Sequence, residues 1–211
     1  IHLGAPFTLY VDSQFLSPYA MSAYVALAEK QLPFEVRLID LDAGEQRMQP
    51  YQCRALTARV PALTHGDFNL TESTAITEYL EDVYPQVPVY PQDAKQRAKS
   101  RQVQAWLRSD LLPIRQERST LVVFYGEQYG PLSPGAESAA GKLIGAAQAL
   151  LADGRPYLFG QWSIADVDLA VMLNRLILNG DRVPPALVEY AQRQWQRPAV
   201  QEWVNLQRPA L

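Results

Sequence analysis

One cysteine, two histidines and no long apolar run leave several protein classes without the residues they need. The single thiol, Cys53, excludes an intrachain disulfide framework, a CxxC redox pair and a cysteine-rich zinc site. His2 and His65 are too few for a multi-histidine centre, so no metal is expected. Apolar runs stop at about five residues, as at 121–125, where a bilayer-spanning helix needs roughly 20. An excess of positive charge is lacking as well, since 19 basic and 22 acidic side chains leave a net −3. Nucleic acid held by bulk phosphate neutralisation requires the opposite balance. No basic, apolar leader ending in small residues opens the chain, and it starts at Ile1 without Met, so a few preceding residues are expected. These absences lead to the expectation of a cytoplasmic protein with neither membrane nor nucleic-acid partner.

What is present is a chain of 211 residues, 48% of them hydrophobic, enough for one large domain or two compact ones without disulfide or metal support. The charges divide it. Residues 1–92 carry 5 basic and 11 acidic side chains, net −6, and residues 93–211 carry 14 and 11, net +3. The change falls at Pro85-Gln-Val-Pro-Val-Tyr-Pro91, three prolines in seven residues. Proline fixes φ and disfavours helix in the residue before it, so this stretch reads as an extended connector. The expected organisation is a first domain at 1–84, a linker at 85–92 and a second domain at 93–211.

The first part alternates strand and helix signals. Phe7-Thr-Leu-Tyr-Val11 alternates apolar and polar, and a polar loop at 12–16 follows. Ser17 is placed as N-cap and Pro18 as first residue of a helix over 18–30. Phe34-Glu-Val-Arg-Leu-Ile39 alternates again, giving a strand–helix–strand unit with parallel strands. Pro61-Ala-Leu-Thr64, a His65-Gly66-Asp67 turn and Phe68-Asn-Leu70 read as a hairpin, and a helix over about 74–84 follows. The second part has no convincing strands. It predicts a long helix over 95–125, kinked or interrupted at Pro113, an Ala/Leu-rich helix over 136–151, and an apolar helix over 164–178. Ser163-Ile-Ala-Asp166 fits a capping-box variant at the start of that last helix. Shorter helices are expected over 185–195 and 198–207. The fold class is therefore α/β plus all-α: a βαβ–ββα domain and then a helical bundle.

Four segments, in order, resemble the cytosolic glutathione S-transferases across essentially the whole length, and most closely the bacterial YfcF-type members. They are Ser17-Pro-Tyr-Ala-Met-Ser-Ala-Tyr-Val-Ala-Leu27, Arg59-Val60-Pro61, Glu72-Ser73-Thr-Ala-Ile76 and Ser163-Ile-Ala-Asp166. The resemblance implies a thioredoxin-like first domain, a cis proline at Pro61, a homodimer, and glutathione as co-substrate with no permanently bound cofactor. It makes Ser17 the catalytic hydroxyl that donates to the glutathione sulfur. It places Val60 and Pro61 against the cysteinyl backbone, and Glu72 and Ser73 at the γ-glutamyl end, where a helix N-terminus favours a carboxylate. Gln46 and Arg59 stand as loose candidates for the glycine carboxylate. Trp106 and Arg115, with Pro113 and the Phe124-Tyr125 pair, are candidates for the wall that receives a hydrophobic electrophile or a peroxide.

The energetics of such a site limit what a serine can do. A thiol of pKa ~8.5 is about 3% thiolate at pH 7, and lowering the value to about 6.5 costs roughly 2.7 kcal/mol and gives about 75%. Reduced nucleophilicity returns roughly eightfold of that ~25-fold gain, a net of about threefold. Most acceleration must come from holding the electrophile beside the sulfur. Plainer readings stand beside these. Ser17 is also an ordinary N-cap, Ser13 competes for the catalytic role, and Tyr10 alternates as a packing residue. Cys53 is read as non-catalytic, Asp166 as structural, His65 as a turn residue, and Lys95, Arg97, Lys99 and Arg101 as a solvated helix face. Conjugation, peroxide reduction and isomerisation of small dicarbonyl compounds are all compatible with a serine. A non-catalytic binding or regulatory protein on the same fold is the alternative.

Overall fold

The computed structural model describes residues 6–211, so His2 lies outside the described residues. Contacts divide the chain into two compact units, one of residues 1–89 together with 202–211 and one of residues 90–201. Residues 202–211 thus pack with the first unit, whereas the sequence places them in the second domain at 93–211.

The first unit is built on a four-stranded sheet in the order β2-β1-β3-β4. Strand β1 (Phe7–Asp12) leads through helix α1 (Pro18–Glu29) to β2 (Phe34–Ile39), which pairs parallel with β1 from Phe7 opposite Phe34. Strands β3 (Ala62–His65) and β4 (Phe68–Thr71) form the hairpin, and β3 runs antiparallel to β1 with Leu9 opposite Leu63. Helix α2 (Ser73–Val83) follows and packs against α1. This is the βαβ–ββα order that the alternation predicts, in the thioredoxin-like form that the resemblance implies. His65 is not a turn residue: it ends β3 opposite Phe68, and its ring nitrogen Nδ1 lies 2.7 Å from the Tyr79 hydroxyl. The tight loop is the pair Gly66-Asp67, where Gly66 takes a φ of 64° that glycine adopts without a Cβ penalty.

α1 starts where the sequence places it. Ser17 Oγ accepts the Ala20 N–H at 3.1 Å, and Pro18 fills the first helical position, where no N–H is needed. Its C-terminus is tied down by Lys30. The buried ammonium donates to Glu81 at 2.6 Å and to the carbonyls of Tyr84 and Val87 at 2.7 and 2.8 Å. Glu81 also accepts the Val89 N–H. The proline-rich stretch is thereby anchored, with Val89 fully buried. The tail joins the same unit through Trp203, whose ring meets Phe15 and Tyr24 edge-on at 5.6 and 5.4 Å.

The second unit is helical. The long helix expected over 95–125 is instead three: α3 (Ala94–Ser109), α4 (Leu112–Glu117) and α5 (Thr120–Tyr125). The break falls at Asp110-Leu111, before Pro113, with Leu111 left-handed at φ 63° and its N–H donated to the Asp110 carboxylate at 2.7 Å. Pro113 sits in the first turn of α4, where its missing N–H costs nothing. Ser119 caps α5 through the Leu121 N–H. Helices α6 (Pro134–Leu150), α7 (Ile164–Ile177), α8 (Pro185–Trp195) and α9 (Pro198–Val204) complete the chain. Helix α7 is the centre of this core, with Leu169, Ala170 and Leu173 fully buried. Its cap is Asp166, whose buried carboxylate accepts the N–H groups of Ser163 and Leu158, each at 2.9 Å, and the Tyr190 hydroxyl at 2.6 Å. Burial pushes this carboxyl above its usual range. Among the described residues no helix is long and apolar enough to cross a membrane.

Candidate active site

A cavity of about 350 Å³ opens in the first unit, lined by Ser17, Tyr19, Leu41, Gln46, Arg47, Ala58, Arg59, Val60 and Glu72. Four pieces of backbone meet there: the start of α1, a short 3-10 turn at Glu45–Arg47, the chain entering β3, and the residue before α2.

Ser17 is delivered by the turn that leaves β1. Asp12, the last residue of that strand, is buried, and its carboxylate accepts the N–H groups of Leu16 at 2.6 Å and Ser17 at 3.1 Å. The acid replaces the strand pairing that these amides lose, so the turn closes without stranded donors. Since Ser17 Oγ accepts from Ala20, its own proton is left to donate to a ligand.

Val60 precedes Pro61 across a cis peptide bond, and a second cis bond joins Gln49 to Pro50. Among the described residues no backbone hydrogen bond outside the regular elements involves Val60. The loop before it is held by Tyr51, which donates to the Arg59 carbonyl at 2.6 Å. Burial, with Tyr10 nearby, pushes the Tyr51 hydroxyl well up, so it keeps the proton it donates. Glu72 takes a left-handed φ of 72° at the mouth of α2, its carboxylate exposed and its carbonyl accepting from Ile76 at 2.9 Å. The lining thus carries two guanidinium groups, Arg47 and Arg59, against one carboxylate, Glu72. A ligand with carboxylates and an ammonium group complements that set.

Of the site residues read from the sequence, Ser17, Gln46, Arg59, Val60 and Glu72 line this one cavity. Pro61 and Ser73 are their immediate neighbours and are not in its lining, Ser73 being buried as the first residue of α2. Trp106 and Arg115 belong to the second unit. The Trp106 indole donates to the Asp110 carboxylate at 2.8 Å, and an Arg115 nitrogen donates to the Asp110 carbonyl at 3.3 Å. Ser13, Tyr10 and Cys53 are outside the lining. Tyr10 is packed in β1 and takes a hydrogen bond from Arg54, while the exposed Cys53 points its thiol at Gln49. Sequence reasoning missed Asp12, Tyr19, Leu41, Arg47 and Ala58. Asp12 had a signal, an acid ending a strand five residues before an N-cap. Arg47 had only its place beside Gln46.

A thioredoxin-like unit with a cis proline beside a helix-capping serine, together with an all-helical unit, defines the architecture of a glutathione-binding class. Residues 5–82 match the family described as Glutathione S-transferase, N-terminal domain, and residues 93–208 match Glutathione S-transferase, C-terminal domain. The chain belongs to the glutathione S-transferase family. Human glutathione S-transferase theta-1 is 37% identical over 132 residues, covering 60% of this chain and 52% of the relative. A probable maleylacetoacetate isomerase 2 of Drosophila melanogaster is 33% identical over 106 residues, 49% of this chain and 46% of the relative. The matched region thus spans about half the length of these curated relatives. A solved glutathione transferase homolog from Burkholderia, with bound glutathione, is 46% identical with a TM-score of 0.79, covering 94% of this chain and 96% of that one.

Proposed function

We propose that this protein is a glutathione transferase that binds glutathione in the 350 Å³ cavity and presents its thiolate to a hydrophobic electrophile or a peroxide. The observation that supports it is the meeting of Ser17, Val60 and Glu72 on one cavity with two arginines. In this reading Glu72 faces the γ-glutamyl ammonium, and the α2 N-terminus, with Ser73, takes the adjoining carboxylate. Val60, beside Pro61, pairs its free backbone groups with the cysteinyl residue. Gln46, Arg59 and the newly placed Arg47 receive the glycine carboxylate, the guanidinium groups supplying charge-assisted bonds. Ser17 donates to the sulfur. A hydroxyl suits thiolate stabilisation for conjugation or peroxide reduction, whereas mixed-disulfide chemistry wants a cysteine there. The electrophile is assigned to the helical unit, with Trp106 and Arg115 as its contacts.

The reading extends to a cytoplasmic homodimer of the YfcF type, on the four segments that carry the resemblance and on the opposite charge of the two parts of the chain. Calorimetric titration with glutathione tests it. Wild type binds below millimolar, and Glu72→Ala weakens binding about tenfold or more, equivalent to roughly 1.4 kcal/mol. No binding to wild type would leave the family membership standing and favour a non-catalytic binding or regulatory protein.

A further inference from the structure

One residue of the tail reaches the turn that delivers Ser17. Arg208 spreads its guanidinium over four backbone carbonyls. Nη1 donates to Val204 at 2.9 Å and to Leu206 at 3.2 Å. Nη2 donates to Trp203 at 3.2 Å and to Phe15 at 3.0 Å, and Nε also approaches the Phe15 oxygen at 3.4 Å. Three of these acceptors belong to the tail and fix where the guanidinium stands. The fourth belongs to the turn. The peptide group joining Phe15 to Leu16 is therefore held at both ends, its carbonyl by Arg208 and its N–H by Asp12 at 2.6 Å. Phe15 sits at φ 52°, a conformation that L-residues leave readily unless held. Its ring is flanked by Trp203 at 5.6 Å and by the Arg208 guanidinium at 6.0 Å.

We infer that Arg208 is a positioning residue for Ser17, setting the direction of the hydroxyl through the Phe15 carbonyl. The inference rests on the reading of Ser17 as donor to the glutathione sulfur. Asp12 fixes the two amides that follow Phe15, but the orientation of the peptide plane also needs its oxygen held. A hydrogen bond weakens steeply as its angle departs from linear, so a plane free to tilt moves the hydroxyl off its acceptor. A planar fork that bridges four carbonyls does this, and the point charge of a lysine does it only in part.

The test uses the full chain and the ultraviolet absorbance of enzyme-bound glutathione thiolate, followed over pH, with turnover of a halogenated dinitrobenzene alongside. Arg208→Gln raises the apparent pKa of bound glutathione and lowers kcat at pH 7 by up to about threefold, the net gain that thiolate stabilisation supplies, while glutathione affinity stays within about threefold. Arg208→Lys falls between the two. Ser17→Ala abolishes the thiolate signal, and adding Arg208→Gln to it costs nothing more, as expected for residues acting on one bond. An unmoved thiolate pKa in folded Arg208→Gln, with Ser17→Ala defective, overturns the role of Arg208 alone. A normal thiolate in Ser17→Ala overturns the reading of Ser17 and this inference with it. If Arg208→Gln does not fold, Arg208→Lys decides, and a wild-type thiolate pKa there overturns the proposal.

Discussion

Replacing Lys30 by Met, which matches the stem and removes the charge, tests the anchoring of the proline-rich stretch. The Lys30 and Glu81 side chains are 1% and 2% exposed, and all three ammonium protons are used, on Glu81, Tyr84 and Val87. Lys30→Met takes the ammonium away from a buried carboxylate and from two carbonyls. Breaking one side of a buried pair costs about 3–5 kcal/mol. At about 2–4 °C per kcal/mol for a chain of this size, the midpoint falls by roughly 6–20 °C. Glu81→Leu strands the ammonium and loses a similar amount. The double variant Lys30→Met with Glu81→Leu removes both charges, and what remains is the orphaned carbonyls and the Val89 N–H, at about 1–3 kcal/mol for each such group. The buried-charge penalty that each single carries is absent from the double, so the double loss falls below the sum of the singles, with a coupling energy of at least about 0.5 kcal/mol. Urea unfolding followed by fluorescence suits this, because of the four tryptophans only Trp203 is in the first unit. A Lys30→Met loss under about 1 kcal/mol, or singles that add within about 0.5 kcal/mol, would refute the argument.

Other outcomes follow from the same geometry. Asp166→Ala strands three donors at the start of α7 and costs about 3 kcal/mol or more in urea unfolding, and Asp166→Asn costs less because one oxygen still accepts. The Asp110 carboxyl is held down to about 2 by hydrogen bonds, first from Lys142 and then from the Leu111 N–H and Trp106. Its native value lies below the unfolded one, so its contribution is present above the unfolded value of 3.8 and is lost as pH falls through about 2. The acid limb of wild type against Asp110→Asn reads this, and a difference constant from pH 5 to 2 would contradict it. Tyr51→Phe removes the bond to the Arg59 carbonyl, costing about 0.5–1.5 kcal/mol, and weakens glutathione binding by a few fold, which calorimetry checks.

Much of this protein is written locally. Ser17 before Pro18, the alternation at 34–39 and the Gly66 loop each encode their element within a few residues, because caps, strand periodicity and left-handed turns are short-range effects. The helix break was harder. The visible signal was Pro113, yet the chain turns at Leu111, since proline is at ease in a helix's first turn and the Asp110 carboxylate can satisfy the Leu111 amide instead. By itself the sequence determined the α/β-then-α order, the serine cap and the motif residues that the resemblance carries. Only the tertiary structure decided that Gln46, Arg47, Arg59 and Glu72 share one cavity with Ser17. It alone put Asp12 and Arg208 on the two ends of one peptide group, from residues 196 apart in the chain. Such meetings depend on how distant segments pack, and no local pattern of side chains records them.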